Sequence, residues 1–304
     1  MKKDFIALTD FSSAELSAML DLADRIKQSP QEFDGALKGK TLGMIFNKKS
    51  TRTRISFEVG IFQLGGRGLF LGPEDLQLAR GESISDTGKV LSRFLDGIMI
   101  RTYSHSDVLD LAGYSSVPVI NGLTDFNHPC QALADMMTIR EKFGKLDGLK
   151  LAYVGDSNNV AVSLLFACVK LGLHISLVSP QGYTLTKEAL EMSREEAESK
   201  NLSVVLTENV QEGVTDADII YTDVWTSMGQ EQEQQKRLND LKGYTVNDQV
   251  MQWAGPKALF MHCLPAHRGE EVSASVIDGP ASIVFDQAEN RLHLQKAVMV
   301  TLMQ

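Results

Sequence analysis

The sequence is poor in the features that mark secreted, membrane-spanning or nucleic-acid-binding chains. It has three cysteines, Cys130, Cys168 and Cys263, with no CxxC spacing, which argues against a disulfide framework or a paired zinc knuckle and predicts three free thiols. Nowhere do about 18 apolar residues run uninterrupted, and Met1-Lys2-Lys3-Asp4 leads into a helix-like pattern instead of the apolar stretch of a secretion signal. A cytoplasmic location is the expectation. Thirty Lys and Arg against 39 Asp and Glu leave a net charge of -9, so a broad basic surface for nucleic acid or anionic lipid is not expected and any anion site must be local. Eight prolines and 24 glycines, with no low-complexity tract and no fixed-period repeat, exclude collagen-like and disordered classes.

What remains is 304 residues of average composition, 43% hydrophobic, enough for about two domains that each bury a core. Ser12-Ser13-Ala14-Glu15 has the form of a capping box, and Leu16, Met19, Leu20, Ala23 and Ile26 follow at helical spacing. Short apolar runs at Thr41–Phe46, Leu69–Leu71, Gly97–Ile100 and Val117–Ile120 read as buried strands, with helical patterns between them such as Ile84–Phe94. Gln131–Phe143 is helical and ends in Gly144-Lys145-Leu146-Asp147-Gly148, the expected domain boundary. A second series follows, with strands at Leu151–Val154, His174–Val178, Asp218–Tyr221 and Ala258–Met261, a helix at Val160–Lys170 and a terminal helix at Leu292–Met303. Gln230–Lys236 reads as a solvated loop or helix end. Alternating β and α elements predict two Rossmann-like α/β domains whose parallel sheets are flanked by helices.

Ser50-Thr51-Arg52-Thr53-Arg54 falls where a strand gives way to a helix, so hydroxyls and guanidiniums surround the positive end of a helix dipole, with Lys48 and Lys49 beside them. The pattern reads equally as a capped helix with solvated cations; its place at a strand's carboxyl end favours a phosphate-sized ligand. It lacks the P-loop spacing, which argues against nucleotide hydrolysis. Arg101 follows a strand and His128-Pro129-Cys130-Gln131 opens a helix. Each alone is an ordinary surface arginine or structural histidine; with the cradle they form a donor set able to hold a phosphate and an attached carbonyl oxygen. Val154-Gly155-Asp156-Ser157-Asn158-Asn159 invites a dinucleotide reading, but only Gly155 of the three required glycines is present, so no nicotinamide cofactor is expected. Asn159 offers an amide at the sheet edge or caps the helix. Tyr221 to Gly229 and Met261 to Gly269 place polar residues after two further strands, and Cys263 is better placed for function than for packing. His262, Cys263 and His267 lack zinc spacing, so no metal is expected.

Taken in order, Ser50-Thr51-Arg52-Thr53-Arg54, His128-Pro129-Cys130-Gln131, Asp223 to Gly229 and His262-Cys263-Leu264-Pro265 resemble the ornithine carbamoyltransferase family, over nearly the whole chain. The resemblance implies a carbamoyl phosphate domain at 1–147, to which a C-terminal helix at 290–304 returns, and an ornithine domain at 148–289, joined by helices. It also implies a homotrimer with active sites at subunit interfaces, no cofactor, and citrulline formation for arginine biosynthesis. By position, Ser50, Thr51, Arg52 and Thr53 are to hold phosphate, with Arg101, His128 and Gln131 around the carbamoyl group, and Gln77 to come from a neighbouring subunit. Asn159, Asp223, Ser227 and Met228 match the amino-acid site, and Cys263, Leu264 and Arg291 the closure over both substrates. Arg101, His128, Asp223 and Cys263 carry the expected chemistry. The sequence departs at Gly88-Lys89, where the family more often has Ala-Arg. No arginine stands in the acceptor segments where a second substrate carboxylate needs one, which favours ornithine over aspartate. A silent sensor or a nicotinamide-dependent oxidoreductase on the same scaffold are the competing readings.

Overall fold

In the computed structural model, which describes residues 2–76, 81–227 and 229–304, the chain divides into two compact units. One is Met1–Met137 with Glu289–Gln304, the other Thr138–Ala288. The division falls between Met137 and Thr138, inside the helix before the glycine-containing link and ahead of the expected boundary after Asp147.

In the first unit, α1 (Ser13–Gln28) starts as the capping box predicts: the Ser12 hydroxyl accepts from the Glu15 amide at 3.2 Å and Glu15 accepts from the Ser12 amide at 2.9 Å. Then come β1 (Thr41–Phe46), α2 (Thr51–Gln63), β2 (Arg67–Leu71), α3 (Ile84–Leu91), β3 (Gly97–Arg101), α4 (His105–Tyr114), β4 (Val119–Leu123) and α5 (Pro129–Phe143). The four strands are parallel in the order β2-β1-β3-β4. β1 and β3 are buried along almost their whole length because helices cover a parallel sheet on both faces. β2 corrects the buried-strand reading of Leu69–Leu71: Leu69 and Phe70 are 47% and 39% exposed. The cause is its edge position, where among the described residues it pairs with β1 on one side; Phe70 finds partial cover from the stacked Phe46 ring and the Arg54 guanidinium. On α2, Ile55, Val59 and Phe62 are also exposed, at i, i+4 and i+7.

In the second unit the order is β5 (Lys150–Val154), α6 (Asn159–Leu171), β6 (His174–Val178), α7 (Lys187–Ser199), β7 (Val204–Thr207), α8 (Val210–Val214), β8 (Ile219–Thr222), α9 (Gln234–Leu241), α10 (Asp248–Ala254), β9 (Leu259–His262) and α11 (Ala274–Ile277). α12 (Val284–Met303) follows, with Glu289 onward counted in the first unit. The sheet is parallel in the order β7-β6-β5-β8-β9. Val160 to Val169 is buried throughout, so α6 is the sheet's inner helix. The sequence reading has no α7 or β7. In α7 only Ala189, Ser193 and Ala197 are buried, too small to give an apolar signal, and β7 is a four-residue edge strand.

Gly172 ends α6 in the left-handed region at φ 86°, and a Cβ there would lie 2.7 Å from Asp147 Oδ1. Gly172→Ala is expected to lower stability by about 1–2 kcal/mol, read as a lower urea midpoint. An unchanged midpoint would contradict this cap.

Candidate functional site

Each sheet carries its polar cluster where the connections from two neighbouring parallel strands leave in opposite directions, the place where open α/β sheets leave a crevice at their carboxyl ends. In the first unit that point lies between β1 and β3, which pair along their length. Ser50 caps α2, its hydroxyl accepting from the Thr53 amide at 3.1 Å. The Thr51 and Arg52 positions open the helix, so backbone N–H groups without helical partners face the same place as their side chains.

Arg101, the last residue of β3, donates from Nη1 to Thr53 Oγ1 at 3.3 Å. Arg291 on α12 donates from Nη2 to the same hydroxyl at 3.2 Å and from Nη1 to Gln131 Oε1. Gln131 in turn donates to Asp135 Oδ1 at 2.8 Å, which fixes its amide so that the oxygen meets the guanidinium. Lys48, also buried, donates to Asp125 at 3.0 Å and lies over the Tyr103 ring. His128 is buried among these groups. Burial first, then the charges of Arg291, Arg101, Lys48 and Arg52, hold its imidazole well below the usual histidine range. At neutral pH it is an uncharged ring able to donate one hydrogen bond. Cys130, beside it in sequence, is a packing residue: burial pushes its thiol up to about 12, and its sulfur donates to the Asn121 carbonyl.

In the second unit the corresponding point lies between β5 and β8. Asp223, directly after β8, is buried, and its two oxygens are divided: Oδ2 accepts from Asn158 Nδ2 at 2.8 Å and Oδ1 from Cys263 Sγ at 3.0 Å. Cys263 follows β9, one strand further along the sheet. The α6 cap is Asn158, whose Oδ1 accepts from the Val160 amide at 2.8 Å, and Asn159 is the first helical residue; the alternative that Asn159 caps the helix is thereby corrected. Ser227 is half-buried in the loop after β8, its amide bonded to Gln230 Oε1. Gln77 and Met228 lie outside the described residues.

Gly155 has φ 128°, and a Cβ on it would come 3.3 Å from Trp225 Nε1. Its missing side chain leaves room for an indole, so this lone glycine has a packing reason that needs no pyrophosphate. Asp223, His262 and Cys263 each offer a ligand atom within 4.8 Å of one another. Both nitrogens of the His262 ring already hydrogen bond to protein, Nδ1 to the Leu264 amide and Nε2 to Glu271, so the cluster does not fit a metal.

The structure thus gathers Ser50, Thr53, Arg101, Gln131, Arg291 and His128 in one unit, and Asp223 and Cys263 in the other. The sequence reading missed three partners. Asn158 orients Asp223, and the Asn-Asn doublet alone does not tell cap from ligand. Asp156 and Arg237 form a largely buried ion pair at 2.7 Å, and Arg237 also donates to the Trp225 carbonyl, holding the loop that leads to Ser227.

Two family descriptions match the chain: "Aspartate/ornithine carbamoyltransferase, carbamoyl-P binding domain" over residues 3–141, and "Aspartate/ornithine carbamoyltransferase, Asp/Orn binding domain" over residues 147–302. The chain is 55% identical to the ornithine carbamoyltransferase of Oceanobacillus iheyensis, covering 99% of this chain and 94% of that one, and 54% identical to that of Bacillus subtilis with the same coverage. Its structure is similar to that of ornithine carbamoyltransferase from Pyrococcus furiosus, with a TM-score of 0.96, 51% identity and coverage of 99% and 97%.

Burial raises the Asp156 carboxyl to about 6 despite the opposing charge of Arg237, with Asp223 and Glu233 adding repulsion. Between its unfolded value near 3.8 and about 6 the native state binds more protons than the unfolded one, so this group's contribution to stability falls as pH rises through that window. Asp156→Asn should remove that component, seen as a smaller decline in urea midpoint between pH 4.5 and 7. An identical slope in both proteins would contradict it.

Proposed function

The chain belongs to the aspartate/ornithine carbamoyltransferase family, and from that premise we propose that its two units share one reaction: transfer of the carbamoyl group of carbamoyl phosphate to the side-chain amine of L-ornithine, giving L-citrulline and phosphate. The observation that carries the division of labour is the contrast in charge. One unit surrounds a neutral His128 with cations, and the other presents a buried carboxylate shared between an amide and a thiol.

An acyl phosphate asks for what the first cluster offers. Ser50, Thr51, Arg52 and Thr53 hold the phosphate at the start of α2, where it becomes the leaving group. Arg101 and the uncharged His128 donate to the carbonyl oxygen, which gains negative charge as the amine nitrogen attacks carbon. Gln131 and Arg291, locked together, complete the donor set. A protonated histidine would add repulsion among four cations; the buried, neutral ring polarises the carbonyl without it.

The acceptor must arrive as a free amine. An alkylammonium with a pKa near 10.4 is neutral in only about one molecule in 10³ near pH 7.4, a cost of about 4 kcal/mol. Asp223 receives the substrate's α-ammonium, and Cys263 relays the proton that the side-chain nitrogen loses as the new C–N bond forms and the C–O bond to phosphate breaks: the sulfur takes it and passes its own proton to Asp223 Oδ1. Asn159, Ser227 and Met228 complete the amino-acid site. Arg237, which reaches this loop, is paired with Asp156 and Glu233 and so is already engaged when a second substrate carboxylate would need it. That favours ornithine over aspartate.

The finer parts of the reading are a homotrimer, a cytoplasmic location and the citrulline-forming, arginine-biosynthetic direction. The exposed Ile55, Val59 and Phe62 on α2 support self-association, since such a stripe is costly in water. Among the described residues no helix is long and apolar enough to cross a membrane.

Purified protein given carbamoyl phosphate and L-ornithine should release citrulline and phosphate one to one, with aspartate and putrescine at about 1% of that rate or less. No citrulline from folded protein, or faster turnover of aspartate, would overturn the proposal. Cys263→Ala should lose roughly 10²-fold in kcat with the KM for carbamoyl phosphate little changed; full rate across the pH profile removes the thiol from the proton path. Sedimentation should give three times the 33.5 kDa chain, and Phe62→Glu should shift it toward the single chain.

A further inference from the structure

Behind the thiol lies a buried polar network that the reaction does not use directly. His262, the last residue of β9, is fully buried, as is Glu271. The Leu264 amide donates to His262 Nδ1 at 2.8 Å, so Nδ1 is the acceptor and the ring proton is on Nε2, which faces Glu271 Oε1 at 3.2 Å. The same Glu271 oxygen accepts from the His267 amide. On the other side, the His262 amide donates to Gln287 Oε1 at 2.9 Å, and Gln287 donates to the Tyr221 hydroxyl at 3.0 Å. Cys263 is therefore flanked by two residues whose positions are fixed by buried hydrogen bonds.

The backbone shows what this fixing opposes. Leu264 sits at φ 59°, in the left-handed region that is disfavoured for a residue with a Cβ. Its amide is the one held by His262 Nδ1. Without that acceptor, the turn after β9 loses a bond that keeps Leu264 in a disfavoured conformation, and the Cys263 sulfur, one residue earlier, loses its place 3.0 Å from Asp223.

We infer that His262 and Glu271 are a positioning pair for the transfer: Glu271 selects the imidazole tautomer, the tautomer holds the Leu264 amide, and the turn so held aims Cys263 at Asp223. Both ring nitrogens are engaged, so the ring acts on the thiol through the backbone and takes no proton from it. The kinetic consequence rests on the function proposed above; the geometric one does not.

The test compares His262→Asn, whose Oδ1 takes the place of Nδ1 as acceptor, with His262→Leu, which keeps bulk and removes the acceptor. The readouts are steady-state kinetics and the rate at which iodoacetamide alkylates Cys263 without substrate, with Cys263→Ala giving the background from the buried Cys130 and Cys168. His262→Leu should lose about 100-fold or more in kcat with the KM for carbamoyl phosphate within about twofold, and should change the alkylation rate at least fivefold. His262→Asn should return both to within about tenfold and twofold of the parent. Equal losses in the two variants, or an unchanged alkylation rate in a folded His262→Leu, would overturn the inference. Should the Leu variant not fold, long-range proton–nitrogen spectra of the ¹⁵N-histidine-labelled parent at pH 8 decide: a single Nε2–H tautomer, missing from His262→Asn, is required, and an Nδ1–H or mixed tautomer rejects the pair. Because alkylation and spectra use no substrate, a failure to make citrulline leaves this outcome readable.

Discussion

Every strand pairing in the two sheets is parallel, so within each sheet all the carboxyl ends open on the same edge. In this chain Arg101 ends β3, Ser50 and His128 follow β1 and β4, and Asn158, Asp223 and Cys263 follow β5, β8 and β9. Residues far apart in the chain reach hydrogen-bond distance near these edges. Gln131 and Arg291 meet across 160 residues, and Asn158 and Asp223 across 65. Within each sheet the cluster forms between adjacent strands whose connections leave in opposite directions, β1 with β3 and β5 with β8, because there the crossovers part and leave donors uncovered.

The two clusters then solve opposite electrostatic problems. Four cations brought to one edge repel a proton, and burial adds to that, so His128 remains a neutral donor in a site whose net charge suits a phosphate. In the second cluster a buried carboxylate is kept by dividing its oxygens between Asn158 and Cys263, each bond offsetting part of the cost of removing it from water. An acidic chain can thus hold a strongly anionic ligand, since the cations are concentrated at one strand edge while the excess of acid lies elsewhere.

Much of this was legible before any coordinates. The Ser12 capping box, the strand runs of β1, β3, β5 and β8, the largely apolar α6 and the Ser-Thr-Arg-Thr-Arg turn are local patterns in which neighbouring residues state their own environment. The weak points were equally physical. α7 hides behind Ala189, Ser193 and Ala197, whose side chains are too small to mark a face. β2 looks apolar in sequence yet lies exposed, because edge position belongs to the sheet and not to the strand. Asn158 and Asn159 are interchangeable as letters; only the turn's geometry makes the first of them both a helix cap and the partner of Asp223.

The sequence by itself determined the alternation of strand and helix, the kinds of group available at each strand end and the family to which they point, since propensity, periodicity and motif order act over a few residues at a time. The tertiary structure alone decided which of those groups share a proton or a charge. Asp223 lies between Asn158 and Cys263, His128 is neutral among four cations, and Glu271 stands behind His262, because distance and desolvation arise only when strands far apart in the chain are laid side by side.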